Sequence, residues 1–300
     1  MIKGFAHAPY GLKYLTINGQ EVTVTPNGVW QHQMRMQEGE NEVYIKAESQ
    51  NGEITVDTLR LLYEAEQLVQ QRAPRRYLLA IAINDYSYES WNRLKMPVKD
   101  ARDFQQVLGQ KYNFNQVDTL FNHSATFANV KDAFKSLIGK TLPQDEVVVF
   151  FAGHGEYDET FDEDGKWILH NGRLGNASLA TVIEKIPAQH VLVVADACFA
   201  GSFYLKRGDE DAAVAGRNKS KSRWVLASGG VESVLDQMPG KQNSPFAWHL
   251  IDFLQDAQND VPLSELRDHL QIEIPKITEQ QPISGPIRGD EGGEMILRVN

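Results

Sequence analysis

Apolar side chains recur at every second position in two early stretches, Glu21-Val22-Thr23-Val24-Thr25 and Glu42 to Ala47. That is the period of a sheet with one buried face. Three Asn-Gly pairs, Asn18-Gly19, Asn27-Gly28 and Asn51-Gly52, lie between candidate strands. Each tolerates the positive φ of a tight hairpin turn. Residues 1–63 are therefore expected to form a small all-β, sandwich-like module of four or five strands. No reactive side chains converge in it, so its expected role is structural, or the docking of a partner protein. Glu64 to Arg72 reads as a polar helical connector that ends at Ala73-Pro74-Arg75-Arg76, because proline cannot continue a helix. This sets a linker at 64–76.

From Tyr77 the pattern changes. Tyr77 to Ile83, Val117 to Phe121, Glu146 to Ala152 and His190 to Ala195 are strand-length runs, two of them continuously apolar, as strands covered on both faces must be. Between them, Val98 to Gln110, Phe127 to Ile138 and Ala177 to Ile186 carry apolar residues at helical spacing. The alternation predicts an α/β domain over 77–300, with a mainly parallel sheet and helices on both faces. After Phe203 the segment Lys206 to Ser222 is charged and aperiodic, and is expected to be an exposed flexible loop. A short strand at Arg223 to Ser228, helices near Pro245 to Ala257 and Pro262 to Ile274, and a last strand at Glu294 to Val299 complete the expectation.

Composition narrows the function. With 42% apolar residues in 300, the chain can bury a core, which excludes disorder. Thirty basic against 40 acidic residues give a net charge of −10, a poor match to a phosphate backbone, so nucleic acid is not an expected partner. No apolar run approaches the ~18 residues of a membrane span, and the opening segment lacks a signal peptide's apolar core. One cysteine cannot form an internal disulfide. A soluble, cytoplasmic protein is expected.

The candidate chemistry sits at two strand ends. One apolar run passes directly into Gly153-His154-Gly155, and another into Asp196-Ala197-Cys198. In open α/β sheets reactive groups gather at the carboxyl ends of strands. Adjacent strands are only ~4.8 Å apart, so side chains leaving neighbouring ends can meet. A thiol with a pKa near ~8.5 needs a base at neutral pH, and an imidazole can supply one. The glycines clear space for a substrate backbone, and the amides of Gly155 and Cys198 can face a developing oxyanion. Taken singly, a lone cysteine after an apolar strand is commonly a small buried hydrophobe. The pair, in this order and at these positions, favours catalysis.

Phe150-Phe151-Ala152-Gly153-His154-Gly155 and Asp196-Ala197-Cys198-Phe199-Ala200-Gly201 resemble the histidine and cysteine motifs of caspase-fold peptidases, most nearly the bacterial metacaspase-like (orthocaspase) proteins. Their separation is close to the roughly 50 residues between caspase histidine and cysteine. The likeness extends from about Arg75 to Asn300 and includes Leu94 to Phe104 and the closing Gly-Asp-Glu-Gly-Gly at 289–293. It implies a cysteine endopeptidase with His154 as general base and Cys198 as nucleophile, needing no cofactor. A carboxylate two residues before the nucleophile favours a cationic substrate. By the resemblance Asp196 and Asp100 would hold Arg or Lys before the scissile bond; the plainer role for Asp100 is a helix N-terminal residue favoured by the dipole. Metacaspases commonly have serine at the position of Ala152, so one pocket contact is expected to be missing. Asp158, Asp162, Glu163 and Asp164 are read as a solvated acidic turn, not a calcium site. Lys206, Arg207, Arg217, Lys219, Lys221 and Arg223 offer self-cleavage sites in the 206–223 loop, unless that loop is simply a solubilising surface. Two other classes remain open: an inactive caspase-like interaction module, and a redox-sensing thiol in a flavodoxin-like domain.

Overall fold

The computed structural model describes residues 2–37, 39–63, 72–87, 91–157, 164–198, 220–229 and 235–300. The chain divides into two compact units, Met1–Gln71 and Arg72–Asn300. Of the expected connector only Arg72 is described, and it is not helical. The basic segment up to residue 219 also lies outside the described residues.

The first unit is all β. Its strands are β1 (Ile2–Phe5), β2 (Leu12–Ile17), β3 (Gln20–Glu21), β4 (Val29–His32), β5 (Gly39–Ser49) and β6 (Ile54–Tyr63). They form an antiparallel β1-β4 pair and an antiparallel sheet of order β3-β2-β5-β6. Leu15, Ile17, Val22, Trp30 and Val43 are its buried core. Six strands stand where four or five were expected, because β1 and the two-residue β3 carry too little pattern to read. The expected strand over Glu21 to Thr25 shrinks to the end of β3 and an isolated bridge from Val24 to Trp30. Asn18 and Gly19 both adopt positive φ, 49° and 79°, as a mirror-image hairpin turn demands. At the other two pairs only the glycine does.

The second unit runs β7 (Arg76–Ala82), α1 (Pro97–Tyr112), β8 (Gln116–Phe121), α2 (Phe127–Lys140), β9 (Glu146–Ala152), β10 (Gly155–Tyr157), β11 (Gly165–Leu169), β12 (Gly172–Gly175), α3 (Asn176–Glu184), β13 (His190–Asp196), β14 (Ser222–Ala227), α4 (Pro245–Asp256), β15 (Val261–Pro262), α5 (Leu263–Glu273), β16 (Ile283–Pro286) and β17 (Ile296–Leu297). The main sheet has the order β16-β14-β13-β9-β7-β8, parallel throughout except for β16 at one edge. Strands β9 and β13 are buried along their whole length, which explains their unbroken apolar runs. One face packs Ile81, Phe151 and Val193 against Phe134 of α2 and Leu179 of α3. The other packs Leu78, Phe150 and Val194 against Phe104 of α1, Phe246 of α4 and Leu270 of α5.

Two expectations need correction, and one strand was not expected at all. The last strand, expected over Glu294 to Val299, is only β17, and it pairs with β15 instead of the main sheet. One edge of the sheet is β16, which the sequence hides because Pro282 precedes it and Pro286 is its last residue; an edge strand tolerates proline where an interior one does not. Arg223, grouped with the exposed basic loop, lies in β14 and is only 1% exposed. Its guanidinium donates to the carbonyls of Ile186, Ala188, Gln189 and Ser222. The closing Gly-Asp-Glu-Gly-Gly segment clamps the start of the same strand: Asp290 Oδ1 accepts from the Arg223 amide at 2.9 Å, and the Glu291 and Gly293 amides donate to the Lys221 carbonyl.

Candidate active site

At the carboxyl edge of the sheet the strand register sets the site. Ala82 pairs with Ala152, and Ala152 with Asp196. By alternation these three and Ser228 point to the face that carries α1 and α4. Ala152 is buried at the end of β9. The two alanines leave room beside Asp196 that longer side chains would fill.

Above that row stand the first turn of α1, which holds Asp100, and the N-cap of α4, Ser244. Pro97 and Pro245 at the helix starts need no N–H partner, and Ser244 Oγ accepts from the Ala247 amide as a capping residue does. Asp100 is 1% exposed and Asp196 6%. Asp100 Oδ1 accepts from Asn243 Nδ2 at 2.8 Å, and Oδ2 from the Ser244 amide at 3.3 Å. Asp196 Oδ2 accepts the Ser244 hydroxyl, while Asp196 Oδ1 and Ser228 Oγ, both buried, make no hydrogen bond of good geometry. Ser228 nevertheless lies near enough to lower the Asp196 pKa.

Burial pushes Asp100 up to about 8, helped by the negative charge of Asp196 and opposed by its hydrogen bonds to Asn243 and Ser244. Burial likewise pushes Asp196 up to about 6, against the hydrogen bonds that lower it. The pair therefore holds about one proton near neutral pH when the site is empty. The helix dipole that would favour an ionised Asp100 is outweighed by desolvation. No Lys, Arg or His among the described residues forms an ion pair with either carboxyl.

The loop after β9 carries His154. The Gly153 amide donates to the Asp196 carbonyl at 3.2 Å, so the two strand ends stay joined past their last ladder pair. The His154 amide donates to Tyr86 Oη at 2.7 Å, and the imidazole lies 5.0 Å from the Tyr86 ring and 5.1 Å from the Trp91 ring. His154 Nε2 is 2.7 Å from the Asn92 carbonyl oxygen. A carbonyl can only accept, so Nε2 carries the proton and Nδ1 is left as the basic nitrogen. Cys198 is half-buried, two residues beyond β13. Gly155 presses directly on its backbone.

The match to known families covers most of this unit. The caspase domain family matches residues 75–285. The chain belongs to this family of cysteine peptidases. A crystal structure of a protein from Geobacter sulfurreducens shares the fold of the caspase domain at a TM-score of 0.55 and 21% identity, over 70% of this chain and 92% of that one. No curated protein matches the chain.

Within the caspase domain, the structure gathers Ala152, Gly155, Asp196 and Cys198 at adjoining strand ends, with Asp100 over the same edge. Sequence reading missed Tyr86, Trp91, Asn92, Ser228, Asp236, Asn243 and Ser244. The aromatic cluster between β7 and α1 was a usable signal, because loops leaving the carboxyl ends of strands build such sites. Ser244 before Pro245 reads as a helix start, but nothing local says that its hydroxyl also reaches Asp196. Asp236, whose carboxylate accepts the Lys95 and Met96 amides at 2.8 and 3.2 Å, had no signal. Of the acidic turn, Asp158, Asp162 and Glu163 lie outside the described residues, and Asp164 accepts from the Ala177 amide at 3.2 Å. Among the described residues no helix is long and apolar enough to cross a membrane.

Proposed function

We propose that the chain is a cysteine endopeptidase that cleaves peptide bonds after arginine or lysine, with Cys198 as nucleophile and His154 as general base. The observation that carries this reading is the buried carboxyl pair. Asp100 and Asp196 lie at the edge from which the His154 and Cys198 loops leave, and Asp196 Oδ1 is buried with no well-formed hydrogen bond, although the Ser228 hydroxyl lies near enough to lower the Asp196 pKa. Buried carboxyls without a counter-ion are costly to the fold. A guanidinium or ammonium would supply both the missing charge and the missing donors.

His154 Nδ1 takes the thiol proton, and the thiolate attacks the carbonyl carbon of the scissile bond. The Gly155 and Cys198 amides face the resulting oxyanion. The C–N bond breaks, the imidazolium protonates the departing amine, and a thioester remains. Water, deprotonated by His154, hydrolyses the thioester and restores the thiol. The Asn92 carbonyl keeps the imidazole in the tautomer these steps require. Ala152 borders Asp196 without a hydroxyl, so position 152 gives the pocket no polar contact and its negative charge comes from the two carboxyls. Protein or peptide substrates are the implied partners, and the basic residues at 206–221 are candidate sites of self-cleavage. A partner protein for the N-terminal β unit is the remaining part of the proposal.

The test is covalent labelling. A peptide chloromethylketone ending in arginine should modify Cys198, as read by mass spectrometry, and one ending in aspartate should not. If neither labels the folded protein, the chain is a caspase-like binding module instead. Fragments that persist in Cys198→Ala on a denaturing gel would rule out self-processing.

A further inference from the structure

Asp100 and Asp196 come from separate elements, the first turn of α1 and the end of β13. They are joined by two residues just before α4. Asn243 Nδ2 donates to Asp100 Oδ1 and to Asp103 Oδ2, both at 2.8 Å. Ser244 donates its amide to Asp100 Oδ2 and its hydroxyl to Asp196 Oδ2. That hydroxyl also accepts the Ala247 amide at 3.0 Å. It has one proton to give, and Asp196 receives it.

We propose that Asn243 and Ser244 are positioning residues of the cation pocket, holding the Asp100 and Asp196 carboxyls together in the arrangement that receives a substrate guanidinium or ammonium. The proposal rests on the reading of this pocket as an arginine or lysine site. Three of the four carboxyl oxygens are tied down by these two residues, and the fourth, Asp196 Oδ1, which makes no well-formed hydrogen bond even with Ser228 near Asp196, is the oxygen a ligand would take. Both residues act on the pocket by donating, and donors to a carboxyl favour its ionised form. The neighbouring charges act the other way. Asp103 opposes ionisation of Asp100, although it is itself paired with Lys99. Asp236 opposes ionisation of Asp196, and Ser228 favours it. Asn243 and Ser244 therefore oppose the effect of burial and extend down the pH scale the range in which the pocket is negative.

The experiment measures the rate at which an arginyl chloromethylketone labels Cys198 between pH 5.5 and 9. At each pH that rate is divided by the rate with iodoacetamide, which is uncharged and reports the thiol alone. In the wild-type chain the ratio should rise with pH as the carboxyls lose their shared proton. Asn243→Ala should move the Asp100 midpoint up by about one pH unit, the size of one lost hydrogen bond to an ionised group, lowering the ratio about tenfold at pH 7, and Ser244→Ala should move the lower, Asp196 midpoint up by a similar amount, lowering the ratio about twofold there. Ser244→Thr, whose hydroxyl can both cap and donate, should restore the wild-type midpoint. A purely capping role for Ser244 would lower stability without moving the midpoint, and that outcome overturns the proposal for Ser244. Asn243→Ala removes no cap, so an unmoved midpoint there overturns the proposal even if Ser244→Ala fails to fold. A wild-type ratio that is flat with pH, or an aspartyl probe that labels faster, overturns the pocket reading itself.

Discussion

Gly155 lies so close to Cys198 that a Cβ built on it would stand 1.9 Å from the Cys198 carbonyl oxygen and 2.9 Å from the carbonyl carbon. The obstacle is backbone, which cannot swing away as a side-chain tip would. Gly155→Ala should therefore push the two loops apart and slow labelling of Cys198 by the arginyl probe at least about tenfold. Gly139→Ala, at an exposed helical position with nothing within 4 Å, is the control and should stabilise by about 0.5–1 kcal/mol. Equal labelling rates for the two variants would contradict the close approach.

Tyr86 accepts the His154 amide at 2.7 Å and lines one side of the imidazole. Burial pushes its phenol up, so it remains a neutral hydroxyl at working pH. Tyr86→Phe keeps the ring but leaves the His154 amide without a partner, a loss of about 1–3 kcal/mol. Urea denaturation should show that loss. Labelling of Cys198 should also fall, because the amide tie helps to fix the imidazole proposed as the base. A variant with wild-type stability would show that water replaces the phenol.

Asp100 should destabilise the fold at high pH. Its folded pKa, about 8, stands above the ordinary 3.8. The folded state therefore keeps the proton more tightly than the unfolded one, and stability is lost as pH rises from about 4 through about 8. Asp100→Asn removes this dependence. The difference in Tm between variant and wild type should grow in the variant's favour from pH 6 to pH 9, while labelling by the arginyl probe is lost. A constant difference across that range would mean that Asp100 ionises as freely as an exposed carboxyl.

Arg223 spans four carbonyls with one planar fork, and burial lowers its pKa only to about 10, so it stays charged. A lysine ammonium concentrates its donors at a point and cannot reach all four. Arg223→Lys should cost about 2–4 kcal/mol in urea denaturation despite the conserved charge. It should leave the labelling preference for arginine unchanged, because Ser222, at the start of the same strand, lies at the opposite end of the sheet from the carboxyl edge that carries Asp196 and Cys198.

These four positions also mark what the sequence can and cannot disclose. Strands such as β9 and β13 are legible because both faces are buried, so composition alone identifies them. His154 and Cys198 are legible because each directly follows such a strand. Tyr86, Asn243 and Ser244 act across 48 to 143 residues of intervening chain, and no local pattern records a hydrogen bond of that range. Arg223 misleads for the opposite reason. Its sequence neighbours are lysines and serines of a polar segment, but the carbonyls that bury it belong mainly to the turn after α3. The strand β16 is hidden by its prolines, which only an edge position makes acceptable.

The parallel pairing of β13 with β14, six residue pairs from His190↔Ser222 to Ala195↔Ala227, has a further consequence if the proposed self-cleavage occurs. A break anywhere between residues 206 and 219 would sever the only covalent path between those two strands without touching the ladder that unites them. The result would be a nicked molecule of two polypeptides sharing one sheet: two bands after denaturation, yet a single particle on a sizing column.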